Sequence, residues 1–434
     1  MFVFSPVYAT SLYTPSQGRQ YQAIGMRDTY YCVNCVTLLR LTFSPYAFLS
    51  RYRTRALINH ARLPSSQIIA LRKRCLMKYP AVLPFTEILP QLSTFDAIID
   101  ARSPSEFAED HIPGAINCPV LDDAQRVCVG TMYKQINAFE AKKVGAMMIA
   151  RNIAQHIETL FIDKPKDWKP LIYCWRGGSR SGAMSHILAK IGWPVIQLDG
   201  GYKEYRRHVS ATIAEHAERL TYTVVCGPTG SGKSRLLQVL AAQGAQVLDL
   251  EKLAAHRGSV LGNLPTALQP SQKAFESSIW ELLRNFDPAL PVFVESESKK
   301  VGNLRVPDAL MDKIRSSPCL AITLSQPNRV KLLMDDYLHF VSDPTLLNTQ
   351  LSCLVALHGR ETISRWQKMA VDGHMEELVE ALLVKHYDPA YLQSIKRNFG
   401  QFSAAQVLDL ADISDETFLS AARGLHPATR TSFT

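Results

Sequence analysis

Short apolar runs alternate with stretches of helical periodicity from Phe85 onward, and this alternation predicts an α/β domain. The predicted elements are three buried strands and one clear helix, at 97–100, 171–173, 194–198 and 183–191. Strands that alternate with helices indicate a parallel sheet with helices on both faces. Ligands bind at the carboxyl ends of the strands in such sheets. Asp100 and Cys174 stand at two of these ends, so both are candidates for a binding site.

A second α/β pattern begins at Tyr222 and has its own short apolar runs. We predict its strands at 222–226, 246–250, 291–294 and 320–324. After Pro327 the pattern turns helical and stays so to the C-terminus. Residues 206–219 are predicted to link the two α/β units. The predicted regions are an N-terminal extension at 1–76, a first α/β domain at 77–209, a second at 210–325 and a helical C-terminal region at 326–434.

The net charge of +9 at pH 7 belongs to the first 76 residues alone. That segment holds ten Lys and Arg residues against one acid, whereas the rest of the chain has 38 bases and 38 acids. The basic balance therefore cannot by itself indicate that the folded body binds nucleic acid.

Residues 1–76 show no sustained helical or strand period and are rich in Arg, Ser and Tyr. Three interpretations are open: a transit-like presequence, a basic arm for RNA, or an upstream stretch read from a misassigned initiation codon. We favour the last, because strong domain patterning begins just after Met77. A chain that starts at Met77 is then expected to keep its activity and the salt dependence of its RNA binding.

The cysteines favour a reducing compartment. Nine of them are scattered along the chain, an odd number, and one is a candidate free thiolate. No stretch approaches the roughly 18 apolar residues that span a membrane. We therefore expect a cytoplasmic protein without a membrane partner.

Cys174 opens a loop of glycine and arginine residues that suits a thiolate. The loop continues through Trp175, Arg176, Gly177, Gly178, Ser179, Arg180 and Ser181. Successive backbone N–H groups can form an anion nest around the sulfur, and Arg176 and Arg180 add positive charge. Such a thiolate can accept a sulfur or selenium atom, so we predict Cys174 as the catalytic residue. Asp100 and Arg102, at a neighbouring strand end, are supporting candidates.

The spacing within this loop also fits a second chemistry. Five residues separate Cys174 from Arg180, where small sulfurtransferases usually have four. The wider spacing is that of cysteine phosphatases, whose loop must hold a phosphate. Against a phosphatase, Tyr173 stands where many of them have His, and no obvious general-acid Asp follows nearby. A cysteine phosphatase is therefore the minority hypothesis.

A second anion loop runs from Gly227 to Ser234 and fits the pattern G-x-x-x-x-G-K-[ST] between a predicted strand and a predicted helix. The residues expected to bind phosphate are Gly227, Gly230, Ser231, Gly232, Lys233 and Ser234. Asp249 and Glu295 end neighbouring predicted strands and are candidates for positioning a metal or water. The loop motif indicates binding of a pyrophosphate group and does not indicate binding of adenine. It is compatible with Mg²⁺ at Ser234, but the sequence assigns no metal site and no tightly bound cofactor.

Four segments in order resemble the rhodanese fold: 100–102, 111–117, the cysteine loop and 198–202. Together with the phosphate loop, three further motifs make the chain similar to the tRNA 2-selenouridine synthase family: 129–135, 255–259 and 386–389. The likeness runs from about Phe85 to about Phe399. It implies a rhodanese-like parallel-sheet domain, then a P-loop α/β domain with a helical C-terminal region.

The resemblance also implies a reaction, its substrates and its partners. The family replaces the sulfur of wobble-position 2-thiouridine with selenium in tRNAs of the Lys, Glu and Gln type. Selenophosphate is the selenium donor, so an enzyme that supplies it is an implied partner. Geranyl diphosphate gives an S-geranyl-2-thiouridine on the way, and the alkylated sulfur can then depart. Cys174 would carry or deliver the selenium, and the phosphate loop would hold the pyrophosphate.

Basic residues of the C-terminal helices are candidates for contacts with tRNA phosphates. They are Arg360, Arg365, Lys368, Lys396 and Arg397. A solvated helix face is the alternative interpretation of the same residues. The alternative functions for the whole chain are a cysteine phosphatase or sulfurtransferase with a nucleotide-binding regulatory domain.

Overall fold

The computed structural model describes residues 79–259, 262 and 267–426. The predicted extension 1–76 and the favoured start at Met77 lie outside the described residues.

The first α/β domain is built on a sheet of five short parallel strands. They are β1 (Ala81–Leu83), β2 (Ala97–Asp100), β3 (Ala115–Asn117), β4 (Pro170–Tyr173) and β5 (Ile196–Leu198). Their order across the sheet is β1-β5-β4-β2-β3. All four residues of β4 are buried, as its continuous apolar sequence predicts for a central strand. The loop that begins with Cys174 therefore leaves the middle of the sheet at its carboxyl edge.

Helices pack around this sheet. They are α1 (Phe85–Ile88), α2 (Pro104–Glu109), α3 (Asp123–Gln135), α4 (Ala138–His156), α5 (Ser179–Ile191) and α6 (Gly201–Glu218), with a 3-10 segment at Leu89–Thr94 and a π segment at Ile157–Phe161. The local sequence determines where several of these helices begin. Ser103 and Glu106 form a capping box at α2, and Asp122 caps α3.

The predicted linker at 206–219 is part of a long helix. Helix α6 buries Tyr202, Tyr205, Val209 and Ile213, which are spaced three or four residues apart along one face. It packs against helices of the second domain, so it joins the two units as a rigid element.

The second domain also has a sheet of five parallel strands. Its strands and a small antiparallel pair are β6 (Tyr222–Cys226), β7 (Gln246–Leu248), β8 (Val292–Glu295), β9 (Lys300–Val301), β10 (Leu304–Arg305), β11 (Cys319–Leu324) and β12 (Gln406–Leu410). The order in the large sheet is β12-β11-β6-β8-β7, and β9 pairs with β10. The phosphate loop follows the central strand β6. The fold class predicted from the sequence is confirmed.

The helices of this part cover the sheet and form a separate helical layer. They are α7 (Lys233–Ala242), α8 (Leu250–Ala254), α9 (Gln272–Asn285), α10 (Asp308–Arg315), α11 (Gln326–Asp336), α12 (Leu338–Ser342), α13 (Pro344–Ser352), α14 (Val355–His358), α15 (Arg360–Val371), α16 (Met375–Leu382), α17 (Asp388–Asn398) and α18 (Asp415–Leu425). A π segment at Leu383–Tyr387 and a 3-10 segment at Phe402–Ala404 complete the set.

The region 326–434, predicted as helical, also contains the strand β12. Its residues pair with β11 in parallel, from Leu320 with Gln406 to Leu324 with Leu410. The sequence signal is weak because β12 lies at the sheet edge, where Gln406 and Val407 are exposed and no continuous apolar run is needed. Through β12 and α18, the end of the described chain returns to the second sheet.

One hydrophobic core extends across both domains. It includes Tyr205 and Val209 of α6 together with Trp280 of α9 and Met311 of α10. Beside it, Asp110 accepts hydrogen bonds from the Tyr202 hydroxyl at 2.8 Å and from the Ser277 hydroxyl at 3.0 Å. Among the described residues, no helix is long and apolar enough to cross a membrane.

Candidate functional site

Cys174 is buried directly after β4, and its sulfur has a defined partner. The Ser181 hydroxyl donates a hydrogen bond to the Cys174 Sγ at 3.1 Å. Ser181 lies in the first turn of α5, whose positive end faces the loop. Both features stabilise a negative charge on the sulfur.

The backbone of the cysteine loop is open to an anion. In the described chain, none of the N–H groups of residues 176–180 donates a hydrogen bond to another protein atom. Adjacent unpaired N–H groups form the kind of nest that binds phosphate-like anions. The loop that follows Cys174 therefore offers a run of free N–H donors, and their role as an anion nest stays a prediction.

The turn between β5 and α6 holds the loop in this shape. The backbone N–H of Tyr202 donates to the Cys174 carbonyl at 2.7 Å, and Gln197 donates to the Gly177 carbonyl at 2.7 Å. Gly201 has a φ of +58°, and a Cβ at this position would lie 2.2 Å from the Cys174 oxygen. Only glycine permits this close approach of two backbones.

The two arginines of the loop have different environments. Arg176 is exposed, whereas Arg180 forms two hydrogen bonds with Glu106, at 2.6 and 3.2 Å. Arg126, in the first turn of α3, contacts the same carboxylate at 3.1 Å. Burial would raise the pKa of Glu106, but the hydrogen bond and charge of Arg180, with the charge of Arg126, hold it below its ordinary value. Glu106 therefore fixes the Arg180 guanidinium in place.

Asp100 and Arg102 form a buried ion pair beneath the site. The Arg102 Nη2 lies 2.6 Å from an Asp100 oxygen and donates to the Asp110 carbonyl at 2.6 Å. Its guanidinium also lies 4.0 Å from the centre of the Tyr202 ring. These contacts brace the strand end and the start of α6, and through Tyr202 they support the cysteine loop.

The phosphate loop likewise offers free donors. In the described chain, the N–H groups of Gly230, Gly232, Lys233 and Ser234 have no hydrogen-bond acceptor. The Lys233 Nζ donates to the Gly227 carbonyl at 2.9 Å and lies 3.5 Å from a Glu295 oxygen. Because α7 begins at Lys233, the loop has the strand, nest and helix arrangement that binds phosphate.

Two helices of the C-terminal region, α11 and α18, contact this loop. Arg329 of α11 donates to the Thr229 carbonyl at 2.7 Å and binds Asp388 at 2.6 Å. Phe418 of α18 packs against Gly232, where a Cβ would lie 2.7 Å from the ring. The motif 386–389 thus has a structural role, because Asp388 binds Arg329 and Arg329 donates to the phosphate loop.

Three carboxylates meet beside the phosphate loop. Glu251, Glu295 and Glu297 present oxygens within 4.8 Å of one another, and the Ser234 hydroxyl lies 3.4 Å from Glu251. Burial and the neighbouring carboxylates raise the pKa of Glu251 to about 10 and that of Glu297 to about 7. Burial also raises the pKa of Glu295. Asp249 lies apart from this cluster in its bonding, since it caps α8 through the Lys252 N–H at 2.8 Å.

The sequence pattern indicates Glu295 but not Glu251 and Glu297. Both lie just beyond the ends of predicted strands, so a search of the residues after each strand would have found them. The loop 255–259 closes over the cluster. Gly258, with a φ of +65°, approaches so closely that a Cβ would lie 2.7 Å from a Glu297 oxygen.

An apolar pocket opens beside the phosphate loop. Its cavity volume is about 70 Å³. Thr229 of the phosphate loop and Ser259 line one part, and side chains of the helical layer line the rest, among them Leu333, Tyr337, Met375, Leu378 and Val379. A pocket lined mostly by apolar side chains suits an apolar ligand. Its position next to the phosphate nest was not predicted.

The basic residues proposed for tRNA contacts lie on α15 and α17. Arg360, Arg365, Lys368, Lys396 and Arg397 are all exposed. Exposure makes them accessible to a phosphate backbone and is also what a solvated helix face requires.

Two family models match the chain in order. A rhodanese-like domain matches residues 86–208, and a tRNA 2-selenouridine synthase AAA domain matches residues 220–352. A tRNA 2-selenouridine synthase of Bdellovibrio bacteriovorus is 31% identical over 347 residues, which are 69% of this chain and 89% of that protein. The chain belongs to the tRNA 2-selenouridine synthase family. In this family member, the first match contains Cys174 and the second contains the phosphate loop.

A second relative supports the same assignment over a shorter range. The tRNA 2-selenouridine synthase of Nitrosomonas europaea is 35% identical over 245 residues. The alignment covers 56% of this chain and 63% of that protein. The chain thus spans less than two thirds of this relative.

Proposed function

We propose that this chain converts 2-thiouridine of tRNA to 2-selenouridine in two steps that use different sites. In the first, the thione sulfur is alkylated by geranyl diphosphate at the phosphate loop. In the second, selenium from selenophosphate replaces the alkylated sulfur at the Cys174 loop. The observation that carries the proposal is the apolar pocket directly beside an open phosphate nest.

The first step fits the second domain because the donor has two chemically different ends. The diphosphate would lie on the free N–H groups of Gly230, Gly232, Lys233 and Ser234, with the Lys233 side chain turned toward it. The geranyl chain would fill the apolar pocket. The sulfur attacks the carbon next to oxygen, a C–S bond forms, the C–O bond breaks and diphosphate leaves. The proton on N3 of the base is released to solvent, so the product is neutral S-geranyl-2-thiouridine. Fixed donors that face the departing diphosphate stabilise its developing charge.

The second step fits the first domain. Selenium attacks C2 of the base, a C–Se bond forms, the C–S bond breaks and geranyl thiolate leaves. A thiolate is a far better leaving group than a thione sulfur, so prior alkylation makes the exchange feasible. Cys174, held by Ser181 in a nest of unpaired N–H groups, is the residue that we propose to deliver selenium from its donor.

A Mg²⁺ ion fits the carboxylate cluster. Glu251, Glu295, Glu297 and the Ser234 hydroxyl offer oxygen ligands only, which is the set that Mg²⁺ prefers. When bound there, the ion would supply positive charge next to the diphosphate. The Glu251→Gln/Glu297→Gln double variant should lose the heat of Mg²⁺ binding in calorimetry. Unchanged binding would place the ion elsewhere.

The tRNA would also contact the protein surface outside the Cys174 loop and the phosphate loop. We propose that the exposed bases of α15 and α17 contact its phosphates and that wobble-thiolated tRNAs of the Lys, Glu and Gln type are the substrates. The six cysteines in the described part of the chain are all free, which suits a reducing cytoplasm. An enzyme that makes selenophosphate would be the functional partner.

The direct test of the proposed function is nucleoside analysis of tRNA by mass spectrometry. Cells without the gene should lack 2-selenouridine and keep 2-thiouridine, and the intact gene should restore the selenium nucleoside. Persistence of 2-selenouridine after deletion would contradict the proposal. A cysteine phosphatase would leave the nucleoside profile unchanged.

A further inference from the structure

We propose that Cys174 accepts the phosphoryl group of selenophosphate, so that the enzyme transiently carries phosphate on its sulfur and sets selenide free in the loop. This inference rests on the proposed function, because it assigns the chemistry by which the Cys174 loop uses its selenium donor. It differs from a role in which Cys174 carries selenium.

The oxidation states of phosphorus and selenium in selenophosphate argue against Cys174 as a selenium carrier. Selenophosphate holds phosphorus in its fully oxidised state and selenium at the level of selenide. If the thiolate took the selenium atom, an S–Se bond would form and the P–Se electrons would remain on phosphorus. Phosphorus would then leave as phosphite, and an oxidant would be needed to return it to phosphate. Neither the donor nor the tRNA supplies one.

Attack of the thiolate at phosphorus balances without an oxidant. The S–P bond forms, the P–Se bond breaks, and selenium leaves with the electron pair as selenide. Water then attacks phosphorus, an O–P bond forms, the S–P bond breaks, and phosphate and the thiolate are released. The net change is hydrolysis of selenophosphate to phosphate and selenide. Selenide is the nucleophile that the exchange at C2 requires.

The loop has the size and the donors for this step. Five residues separate Cys174 from Arg180, and the N–H groups of residues 176–180 are unpaired in the described chain. These groups can hold the oxygens of a phosphoryl group as its charge is redistributed. Arg180 adds a guanidinium that Glu106 fixes through two hydrogen bonds. A phosphoryl group offers these donors three oxygens, whereas a single transferred selenium atom offers them one acceptor.

Ser181 has a separate role in this mechanism. Its hydroxyl lies 3.1 Å from the Cys174 sulfur and donates to it. When the S–P bond breaks, the sulfur must leave as a thiolate, and this hydrogen bond stabilises it. When the selenium of the donor carries a proton, it leaves as HSe⁻, a weak base, so its departure in the first half needs no general acid. Loss of Ser181 should therefore slow the breakdown of the phosphorylated enzyme more than its formation.

The test uses the full chain and selenophosphate that is radiolabelled in phosphorus. Thiophosphate serves as a stable analogue of this donor. The reaction is stopped by rapid denaturation, and the peptide that contains Cys174 is analysed. A phosphoryl group and a selenium atom add nearly the same mass, so the radiolabel and the isotope pattern of selenium distinguish them. We expect labelled Cys174 with release of selenide, and about tenfold more label in Ser181→Ala.

Cys174→Ala should carry no label, and Cys128→Ala, which removes an exposed thiol, should be labelled like the wild type. Selenium on Cys174, or no phosphoryl adduct even in Ser181→Ala, would overturn the inference. If the wild type makes 2-selenouridine without a phosphorylated intermediate, only this inference fails. If Cys174 is phosphorylated but geranylated tRNA is never selenated, the proposed function fails and the phosphoryl step stands.

Discussion

The Lys233 ammonium group lies at the phosphate loop even without a bound ligand. Its ammonium group is held by the Gly227 carbonyl and lies near Glu295, both beside the free N–H groups of the loop. A diphosphate would offer it a stronger charge-assisted partner. In the proposed reaction the Lys233 side chain would stabilise the leaving diphosphate, so its loss should affect the alkylation step alone.

Replacing Lys233 with Ala should slow geranylation of tRNA by about 10²-fold, because one cationic donor to the leaving diphosphate is lost. The rate is measured by chromatography of S-geranyl-2-thiouridine. Lys331→Ala, which removes an exposed lysine of α11, is the control and should react normally. Unimpaired geranylation in Lys233→Ala would show that the loop binds a different phosphate.

Glu106 gives a prediction that depends on pH. Because its pKa in the folded protein is lowered, its ionised form stabilises the fold above the ordinary value of 4.5, and this contribution is lost as the pH falls through the folded pKa. Glu106→Gln should cost about 1–3 kcal/mol at pH 7, through weaker bonds to Arg180. The cost should shrink in strongly acidic solution.

Thermal unfolding of Glu106→Gln at neutral and acidic pH checks this prediction. Glu109→Gln on the same helix is the matched control, because its partner Lys273 is exposed and such pairs contribute little. A cost that is equal at both pH values would mean that charge on Glu106 is not what stabilises the site.

At the scale of elements, the apolar pocket is made where the helical layer meets the phosphate loop. Val379 of α16 lines it and is half-buried, so a larger side chain can enter without disturbing a packed core. Val379→Trp should raise the KM for geranyl diphosphate by about tenfold or more. Val371→Trp, on the exposed face of α15, should have no such effect.

The selenation of tRNA that is already geranylated should be unchanged in Val379→Trp, because we propose that this step takes place at the Cys174 loop. A donor with five fewer carbons should bind the wild type more weakly by on the order of 3–4 kcal/mol, since each buried methylene contributes about 0.8 kcal/mol. Equal affinity for the two donors would show that the geranyl chain lies outside the pocket.

Elements that are continuous in sequence could be predicted, and elements that the fold assembles could not. The loops at 174–181 and 227–234 are local runs, and the buried strands before them have continuous apolar sequences. By contrast, Glu251 and Glu297 meet only because β7 and β8 are neighbours in the sheet. The pocket requires helices from α11 to α16 to pack together, and the exposed edge strand β12 has no apolar run that marks it.

At the scale of the whole molecule, the two domains share a core through α6. Because residues of both domains pack in one cluster, we expect both to unfold in a single thermal transition. Trp280→Ala should destabilise this core by about 3–5 kcal/mol and lower that transition. Tyr79→Ala, at an exposed position, is the control. Two separate calorimetric transitions in the wild type would contradict a shared core.

The central claim is that the two anion loops perform successive steps on one tRNA. It is tested most directly by nucleoside analysis of 2-thiouridine tRNA incubated with geranyl diphosphate, selenophosphate and each variant. Cys174→Ala should accumulate S-geranyl-2-thiouridine without 2-selenouridine. Lys233→Ala should leave 2-thiouridine largely unchanged, yet convert geranylated tRNA to the selenium product. Wild-type formation of 2-selenouridine from 2-thiouridine by either variant would contradict the account.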